Sequence, residues 1–369
     1  MNDSPKYAVN MPFLVVFPPH GNLSSIVASL HENRFGCKGF SRSAQLNGLF
    51  GKAFSLIAIL VSGSQVPDSD GGRWQISEGS EQRVDVNAYS NQSIAYLGPE
   101  GTYSHEAARA FAAKLGADGI ELVPCPSFTD VFDSVDRGRC TYGVVATENS
   151  LEGPVTATLD NFAFNSTSTI LGVHVLDINH CLIVHPDTQA QDITAIASHA
   201  QGLGQCRRFI ATRFPNAELL TTSSTAASVK YAMEHPHTAA IATRYAAELY
   251  GARVLEQNIE DRFGNQTSFA LIGRQGTPPL EGGSRFKTTV ALFLQVDRAG
   301  SLHMILSEFA YAGINITMIQ SRPTKQALGD YMFFLDLEGR DTDPAMQTAL
   351  NCLRLKLREV KVLGSYPVE

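Results

Sequence analysis

The sequence lacks the spacing patterns by which cysteine and histidine usually bind metals. Its 369 residues include six cysteines, none in Cys-x-x-Cys spacing, and ten histidines that form no His-x-x-x-His pair. Scattered cysteines of this kind are typical of reduced, buried thiols in a cytosolic protein. We therefore expect no metal ion and no disulfide framework.

Long apolar runs and basic clusters are also missing. The apolar segment AFSLIAILV (53–61) is too short to cross a bilayer, and the net charge is −7 with 18% charged residues. Without a basic patch, binding to nucleic acid is not expected, and an anionic ligand would need local hydrogen-bond donors. The composition, 44% hydrophobic, is that of a globular protein with sizeable cores.

Residues 1–92 differ from the rest of the chain. Ser, Asn, Gly and Gln are frequent there and the hydrophobic periodicity is weak, which is typical of linkers. We predict a poorly ordered N-terminal extension over 1–92 that carries no catalytic residue. A cytoplasmic location is expected, although the mildly basic, serine-containing first fifty residues leave an organellar transit peptide open.

From residue 93 to 275 the chain alternates short apolar strands with amphipathic helices. This alternation predicts an α/β domain built on parallel sheets. Two β-rich passages, near 165–185 and 255–273, interrupt the pattern, so we predict two lobes that the chain crosses twice. Thr267 would then lie at a crossing, where a cleft between lobes places its ligand.

The predicted helices open with hydroxyl or amide residues directly after a strand. Each of these is explained on its own by N-capping. Several together allow a second interpretation, since helix N-termini at the carboxyl ends of strands attract anions. The cleft would then suit a small molecule that carries carboxylates.

The C-terminal segment 286–369 follows a turn-rich linker and has the order βαββαβ. Gly300 and Ser301 open its first helix, and Asp343-Pro344 opens its second. This is the ferredoxin-like arrangement. We interpret it as an added regulatory or dimerising module.

Several motifs, in order, resemble those of the prephenate dehydratases that carry an ACT domain. The resemblance covers roughly residues 94–365. The matching segments are AYLGPEGTYSHEAA (95–108), GVVATENSLEGPV (143–155), SHAQGLGQC (198–206), SSTAASVKYA (223–232), EDRFGNQTSF (260–269), GSLHMIL (300–306) and NITMIQSRP (315–323).

The resemblance implies a two-lobed, periplasmic-binding-protein-like catalytic domain and a C-terminal ACT domain. The implied reaction removes carbon dioxide and water from prephenate to give phenylpyruvate, on the way to phenylalanine, with no cofactor. The catalytic motif that the resemblance implies is Thr267, Ser268 and Phe269, in which Thr267 would assist the departing ring hydroxyl. The residues implied in binding the substrate carboxylates or ordering the cleft are Asn149, Ser150, Ser198, Gln201, Ser224 and Thr225.

Position 268 departs from the family pattern, which has arginine between the threonine and the phenylalanine. Loss of a charged hydrogen bond is worth about 1.5–3 kcal/mol, or roughly ten- to a hundredfold in rate. Arg262 or Arg244 would be candidates to compensate. Further departures at Ala146, Thr147 and Ala200 keep two alternatives open, a prephenate decarboxylase-like paralogue and a non-catalytic sensor of amino acids.

In the ACT domain the resemblance implies an allosteric site for phenylalanine at a dimer interface, and hence a homodimer or homotetramer. The residues implied are Gly300, Ser301, Leu302, Asn315, Ile316, Gln320, Ser321 and Arg322. Gln320 replaces the usual glutamate.

Residues 1–92 lack the arginine-bearing amphipathic helices that a chorismate mutase domain would need.

Overall fold

The computed structural model describes residues 92–116, 119–325 and 330–368. Apart from Gln92, the predicted N-terminal extension lies outside the described residues. Among the described residues, no helix combines the length and the hydropathy that crossing a membrane requires.

Lobe 1 of the first domain is a twisted sheet with helices on its faces. Its elements are β1 (Ser93–Leu97), α1 (Tyr103–Leu115), β2 (Glu121–Cys125), α2 (Phe128–Asp136), β3 (Tyr142–Asn149), β4 (Gly153–Pro154), α3 (Thr156–Asp160) and β5 (Thr169–Asp177). The Thr102 and Ser127 side chains cap α1 and α2, which agrees with the expectation that the helices open with hydroxyl or amide residues.

Lobe 2 follows and is smaller. Its elements are β6 (Cys181–Val184), β7 (Ala195–Ser198), α4 (Ala200–Gln205), α5 (Arg207–Arg213), β8 (Glu218–Thr221), α6 (Thr225–Glu234), β9 (Thr238–Ala242), α7 (Arg244–Tyr250) and β10 (Arg253–Gln257). The chain then returns to lobe 1 as β11 (Gln266–Gly273). The two crossings, 178–180 and 258–265, fall inside the passages that the sequence singled out.

The sheets are mixed, which corrects the prediction of parallel sheets. Lobe 1 has the order β2-β1-β3-β11-β5, and β11 runs antiparallel to both of its neighbours. Lobe 2 has the order β10-β6-β9-β7-β8, in which β6 is antiparallel to β9 and β10. A strand becomes parallel to its neighbour when a crossover connection, usually a helix, carries the chain back along the sheet. β11 instead enters lobe 1 directly from lobe 2, without such a helix in lobe 1, and it runs antiparallel to β3.

The C-terminal module is the predicted βαββαβ plait. It consists of β12 (Arg285–Phe293), α8 (Ser301–Tyr311), β13 (Ile316–Pro323), β14 (Tyr331–Glu338), α9 (Pro344–Arg354) and β15 (Glu359–Val368), with strand order β13-β14-β12-β15. Its two helices cover one face of the sheet, packing an apolar core against Val290, Leu292 and Leu335.

The other face of this sheet packs on lobe 1. One apolar cluster joins Ala270 and Ile272 of β11 to Phe334 and Tyr366 of the plait. The seam is tight at Gly364, where an added Cβ would lie 2.3 Å from the carbonyl oxygen of Ile170. The strand that carries Thr267 therefore has the plait packed behind it.

Candidate active site

The Thr267 side chain lies in a network of buried amides. Asn149 pairs with Thr267 across β3 and β11, and its Nδ2 lies 2.9 Å from Thr267 Oγ1. The same amide nitrogen is 2.8 Å from Asn265 Oδ1, while Asn149 Oδ1 accepts the backbone N–H groups of Leu151 and Glu152 at 3.0 Å. Both ends of the Asn149 amide are thus engaged, which fixes its orientation.

A β-bulge brings Asn149 to this face of the sheet. Ser268 pairs with Glu148 and Phe269 with Ala146, so Thr147 is an extra residue in β3. Because side chains alternate along a strand, the extra residue turns Thr147 and Glu148 to one face and Asn149 to the other. Without the bulge, Asn149 and Thr267 would lie on opposite faces.

The hydrogen bond from Asn149 has a chemical consequence. Since Asn149 Nδ2 donates to Thr267 Oγ1, the hydroxyl proton of Thr267 is directed elsewhere. Among the described residues, no acceptor for that proton is found. Thr267 is 9% exposed, so its hydroxyl is held as a donor at the edge of the cleft.

The network continues through both crossings between the lobes. Asn265 Nδ2 lies 3.5 Å from Gln205 Oε1, which is 2.8 Å from His180 Nε2. Burial lowers the pKa of His180, so the ring is neutral and its Nε2–H donates to Gln205. The backbone N–H of His180 in turn donates to Glu260 Oε2 at 2.9 Å. Thr267 is therefore positioned by residues from both hinge segments.

Sequence reasoning missed Gln205, His180 and Asn265 as site residues. Gln205 and Asn265 stand inside quoted motifs, but nothing in their spacing shows that they meet. In the part of the chain that the structure describes, Gln205 Nε2 is buried without a hydrogen-bond partner. Gln205 Nε2 is thus a buried donor beside the Thr267 network.

Three helix N-termini converge where the lobes meet. Thr243, the cap of α7, donates its hydroxyl to the carbonyl oxygen of Gly101 at 3.2 Å, just before α1 begins. An added Cβ at Gly101 would touch Ala226 in the first turn of α6 and Ala246 in that of α7, within 3.4 Å. The partial positive charge of these termini favours an anionic ligand between the lobes.

The other residues predicted to bind substrate have different surroundings. Ser198 is fully buried and donates to the carbonyl oxygen of Ile241 at 2.7 Å, so its hydroxyl orders the end of β7. Ser224 caps α6, and Thr225 follows it. Gln201 is exposed in the first turn of α4, whose cap is His199 rather than Ser198. Whether these residues contact substrate stays a prediction.

Ser150 contributes to the Thr267 network from the turn after β3. Its hydroxyl accepts the backbone N–H of Gln266 at 2.9 Å and lies 3.4 Å from Asn265 Oδ1. It therefore supports the start of β11, one residue before Thr267.

Ser268 and Phe269, the rest of the predicted catalytic motif, point in opposite directions. Phe269 is buried with Tyr96 and Phe111 in the core under α1. Ser268 turns to the other face of β11, where it lines a cavity against the plait. The Ser268 side chain therefore lies on the face of β11 opposite Thr267. Arg244, suggested as a compensating cation, pairs with Glu248 on its own helix.

The predicted effector residues are separated within one chain. Gly300 and Ser301 begin α8, while Asn315 and Ile316 follow its far end, about 16 Å away for an eleven-residue helix. Arg322 turns to lobe 1 and binds Asp160 at 2.6 Å. The Arg322–Asp160 ion pair belongs to the seam between the plait and lobe 1.

Comparison with known proteins places this geometry in a family. The family model described as prephenate dehydratase matches residues 94–277, and the ACT domain model matches residues 288–352. A prephenate dehydratase of Mycobacteroides abscessus is 36% identical over 279 residues, 75% of this chain and 90% of the relative. The chain belongs to the prephenate dehydratase family.

Two further relatives agree with this assignment. A bifunctional chorismate mutase/prephenate dehydratase of Stutzerimonas stutzeri is 39% identical over 74% of this chain and 73% of its own length. A crystal structure of prephenate dehydratase from Arthrobacter aurescens, in complex with L-Phe, superimposes with a TM-score of 0.68 at 35% identity, over 75% of this chain and 90% of that one.

Membership in the prephenate dehydratase family confirms several predictions from the sequence. The protein is a decarboxylating hydro-lyase that acts on prephenate, with a two-lobed α/β domain and a C-terminal ACT domain. The domain boundaries predicted at 93–275 and 286–369 and the roles of individual residues stay predictions.

Proposed function

We propose that the cleft between the lobes converts prephenate to phenylpyruvate with Thr267 as the proton donor. The observation that carries this proposal is the hydrogen bond from Asn149 to Thr267 Oγ1, which leaves the threonine proton for a ligand. As the ring carboxylate leaves as carbon dioxide, its electrons aromatise the ring and expel the ring hydroxyl. The hydroxyl takes the Thr267 proton and leaves as water, and the threonine is reprotonated from solvent.

The charges around the cleft support a dianionic substrate. The N-termini of α1, α6 and α7 supply backbone N–H groups and partial positive charge. Gln205 Nε2 is a buried amide donor near this cleft without a hydrogen-bond partner among the described residues. Free carboxylates near Thr267 would repel such a substrate, and Glu148 faces away from it across the β-bulge.

The test is incubation of the purified protein with prephenate, following phenylpyruvate and carbon dioxide together. Equal amounts of both products are expected, because one fragmentation forms them. Carbon dioxide without phenylpyruvate would identify a non-aromatising decarboxylase, and neither product would favour a non-catalytic sensor.

We further propose feedback regulation by phenylalanine at an interface between two ACT domains. The related Arthrobacter structure contains L-Phe. One chain holds the Gly300 and Asn315 ends of the predicted site a helix length apart, so a second copy is needed to bring such groups together. The edge strand β13, with Thr317, Ile319 and Ser321 exposed, is available for that contact.

Light scattering tests the assembly. A mass of at least twice 39.9 kDa is expected, and added phenylalanine is expected to lower the rate of phenylpyruvate formation. A monomeric mass with full feedback inhibition would refute the interface site. A cytoplasmic location stays our prediction, supported by free cysteines at 125, 140, 181, 206 and 352.

A further inference from the structure

A cavity of about 130 Å³ lies between the lobe 1 sheet and the ACT sheet. Its apolar wall includes Leu159, Phe162, Ile170, Val173, Met318 and Leu363. The volume is close to that of an engineered protein cavity of about 150 Å³ that accepts benzene. The cavity therefore has room for one aromatic ring or one branched aliphatic group against its apolar wall.

Polar contacts join the plait to lobe 1 around the cavity. Lys361 Nζ donates to the carbonyl oxygens of Phe162 and Ser166 at 2.6 Å, and Arg322 binds Asp160 at 2.6 Å. Together with the close approach at Gly364, these contacts fix the two sheets relative to each other.

The remaining wall is polar and has more acidic than basic side chains. It contains two carboxylates, Asp336 and Glu148, and one ammonium group, Lys287. Asp336 Oδ1 accepts a hydrogen bond from Thr289 at 2.7 Å, but within the described part of the chain its Oδ2 has only Lys287, at 3.9 Å. A carboxylate offers about four acceptor positions, so this one has capacity for another donor. Burial raises the pKa of Asp336, which a second cation would offset.

The cavity touches the back of the strand that carries Thr267. Ser268 and Thr147 line it, and Thr147 Oγ1 donates to the carbonyl oxygen of Ser268 at 3.1 Å. A ligand in the cavity therefore lies against the residue next to Thr267, on the opposite face of β11.

We propose that this cavity binds a small organic ammonium compound with an apolar group, whose ammonium contacts Asp336 and Glu148. The apolar group occupies the wall formed by Phe162, Ile170 and Val173. A simple amine and an apolar α-amino acid share this chemistry. When the ligand is an α-amino acid, Lys287 binds the carboxylate of that ligand.

The probe is 2-phenylethylamine, titrated into the full-length protein by calorimetry, with 3-phenylpropanoate as its carboxylate counterpart. We expect saturable binding of the amine and none of the carboxylate. Asp336→Asn is expected to weaken amine binding at least tenfold. The matched control Asp187→Asn removes a carboxylate whose side chain is 92% exposed in lobe 2, and should leave binding unchanged.

Two further variants separate a specific site from a structural effect. Lys287→Met removes the competing cation and is expected to preserve or strengthen amine binding, but to weaken binding of an apolar amino acid. Val173→Phe fills the cavity and should abolish binding of both. Melting temperatures establish that each variant is folded. No saturable binding, or binding that Asp336→Asn and Val173→Phe leave unchanged, would show that the cavity holds only water and overturn the proposal.

Discussion

Replacement of Thr267 by valine separates the proposed chemistry of the hydroxyl from its structural contribution. Valine keeps the β-branched shape that suits a strand and removes only the hydroxyl. In the folded protein this hydroxyl accepts one hydrogen bond, from Asn149 Nδ2 at 2.9 Å. That amide retains Asn265 Oδ1 at 2.8 Å and the carbonyl oxygen of Gln266 at 3.1 Å.

The structural cost of Thr267→Val is therefore small. No buried donor loses its last partner, so we expect a destabilisation of about 0.5–1.5 kcal/mol, the usual range for one hydrogen bond. The catalytic cost is larger, because loss of a positioned proton donor lowers rates by roughly 10²–10⁴-fold. The two effects differ enough to be measured separately.

The assay is the initial rate of phenylpyruvate formation at saturating prephenate, with a urea unfolding curve for each variant. Thr267→Ser keeps the hydroxyl and should recover much of the activity. The matched control is Thr238→Val, a strand threonine that is 5% exposed at the start of β9. If Thr267→Val kept a rate within about threefold of wild type, Thr267 would have no role as a proton donor.

Two other predictions concern the residues around Thr267 and the seam behind it. Asn149→Asp keeps the acceptor for the N–H groups of Leu151 and Glu152 but cannot donate to Thr267, so kcat should fall roughly ten- to a hundredfold; an unchanged kcat, measured by product formation, would remove Asn149 from the network. At Asp160, burial opposes ionisation, but hydrogen bonds from Arg322 and Lys325 outweigh it and lower the pKa of this carboxyl from its ordinary value. A lowered carboxyl pKa stabilises the fold above the unfolded value, and this contribution is lost as the pH falls through the folded value. Asp160→Asn should therefore cost about 1–3 kcal/mol at pH 7, where Arg322 loses its charged partner, and the difference from wild type should shrink below pH 4 in urea titrations. A difference that stays constant with pH would contradict the ion pair.

Local sequence signals predicted most of the secondary structure. Thr102, Ser127 and Ser224 accept N–H groups of the helices that they precede, and Asp343-Pro344 begins α9. These features depend on neighbours within four residues, so one segment of sequence contains all the necessary information. The βαββαβ order of the plait was predicted for the same reason.

The direction of Ser268 was also encoded locally. Adjacent residues of a strand point to opposite faces, so a strand that begins near Thr267 cannot direct both side chains into one cleft. The motif resemblance grouped Thr267 and Ser268 together, whereas the period of the strand separates them.

Non-local contacts decided the rest of the site. The bulge at Thr147 depends on how β3 pairs with β11, more than a hundred residues later, and it alone brings Asn149 beside Thr267. The antiparallel direction of β11 follows from its return out of lobe 2. The contacts from His180 through Gln205 to Asn265 join three separate segments.

The sequence by itself determined the helices, the strands, their caps and the family motifs, because these depend on periodicity and on near neighbours. Only the tertiary structure decided which polar groups meet Thr267, that Arg322 binds Asp160, and that a charged cavity lies behind β11. Each of these depends on register and packing between distant segments, which periodicity does not specify.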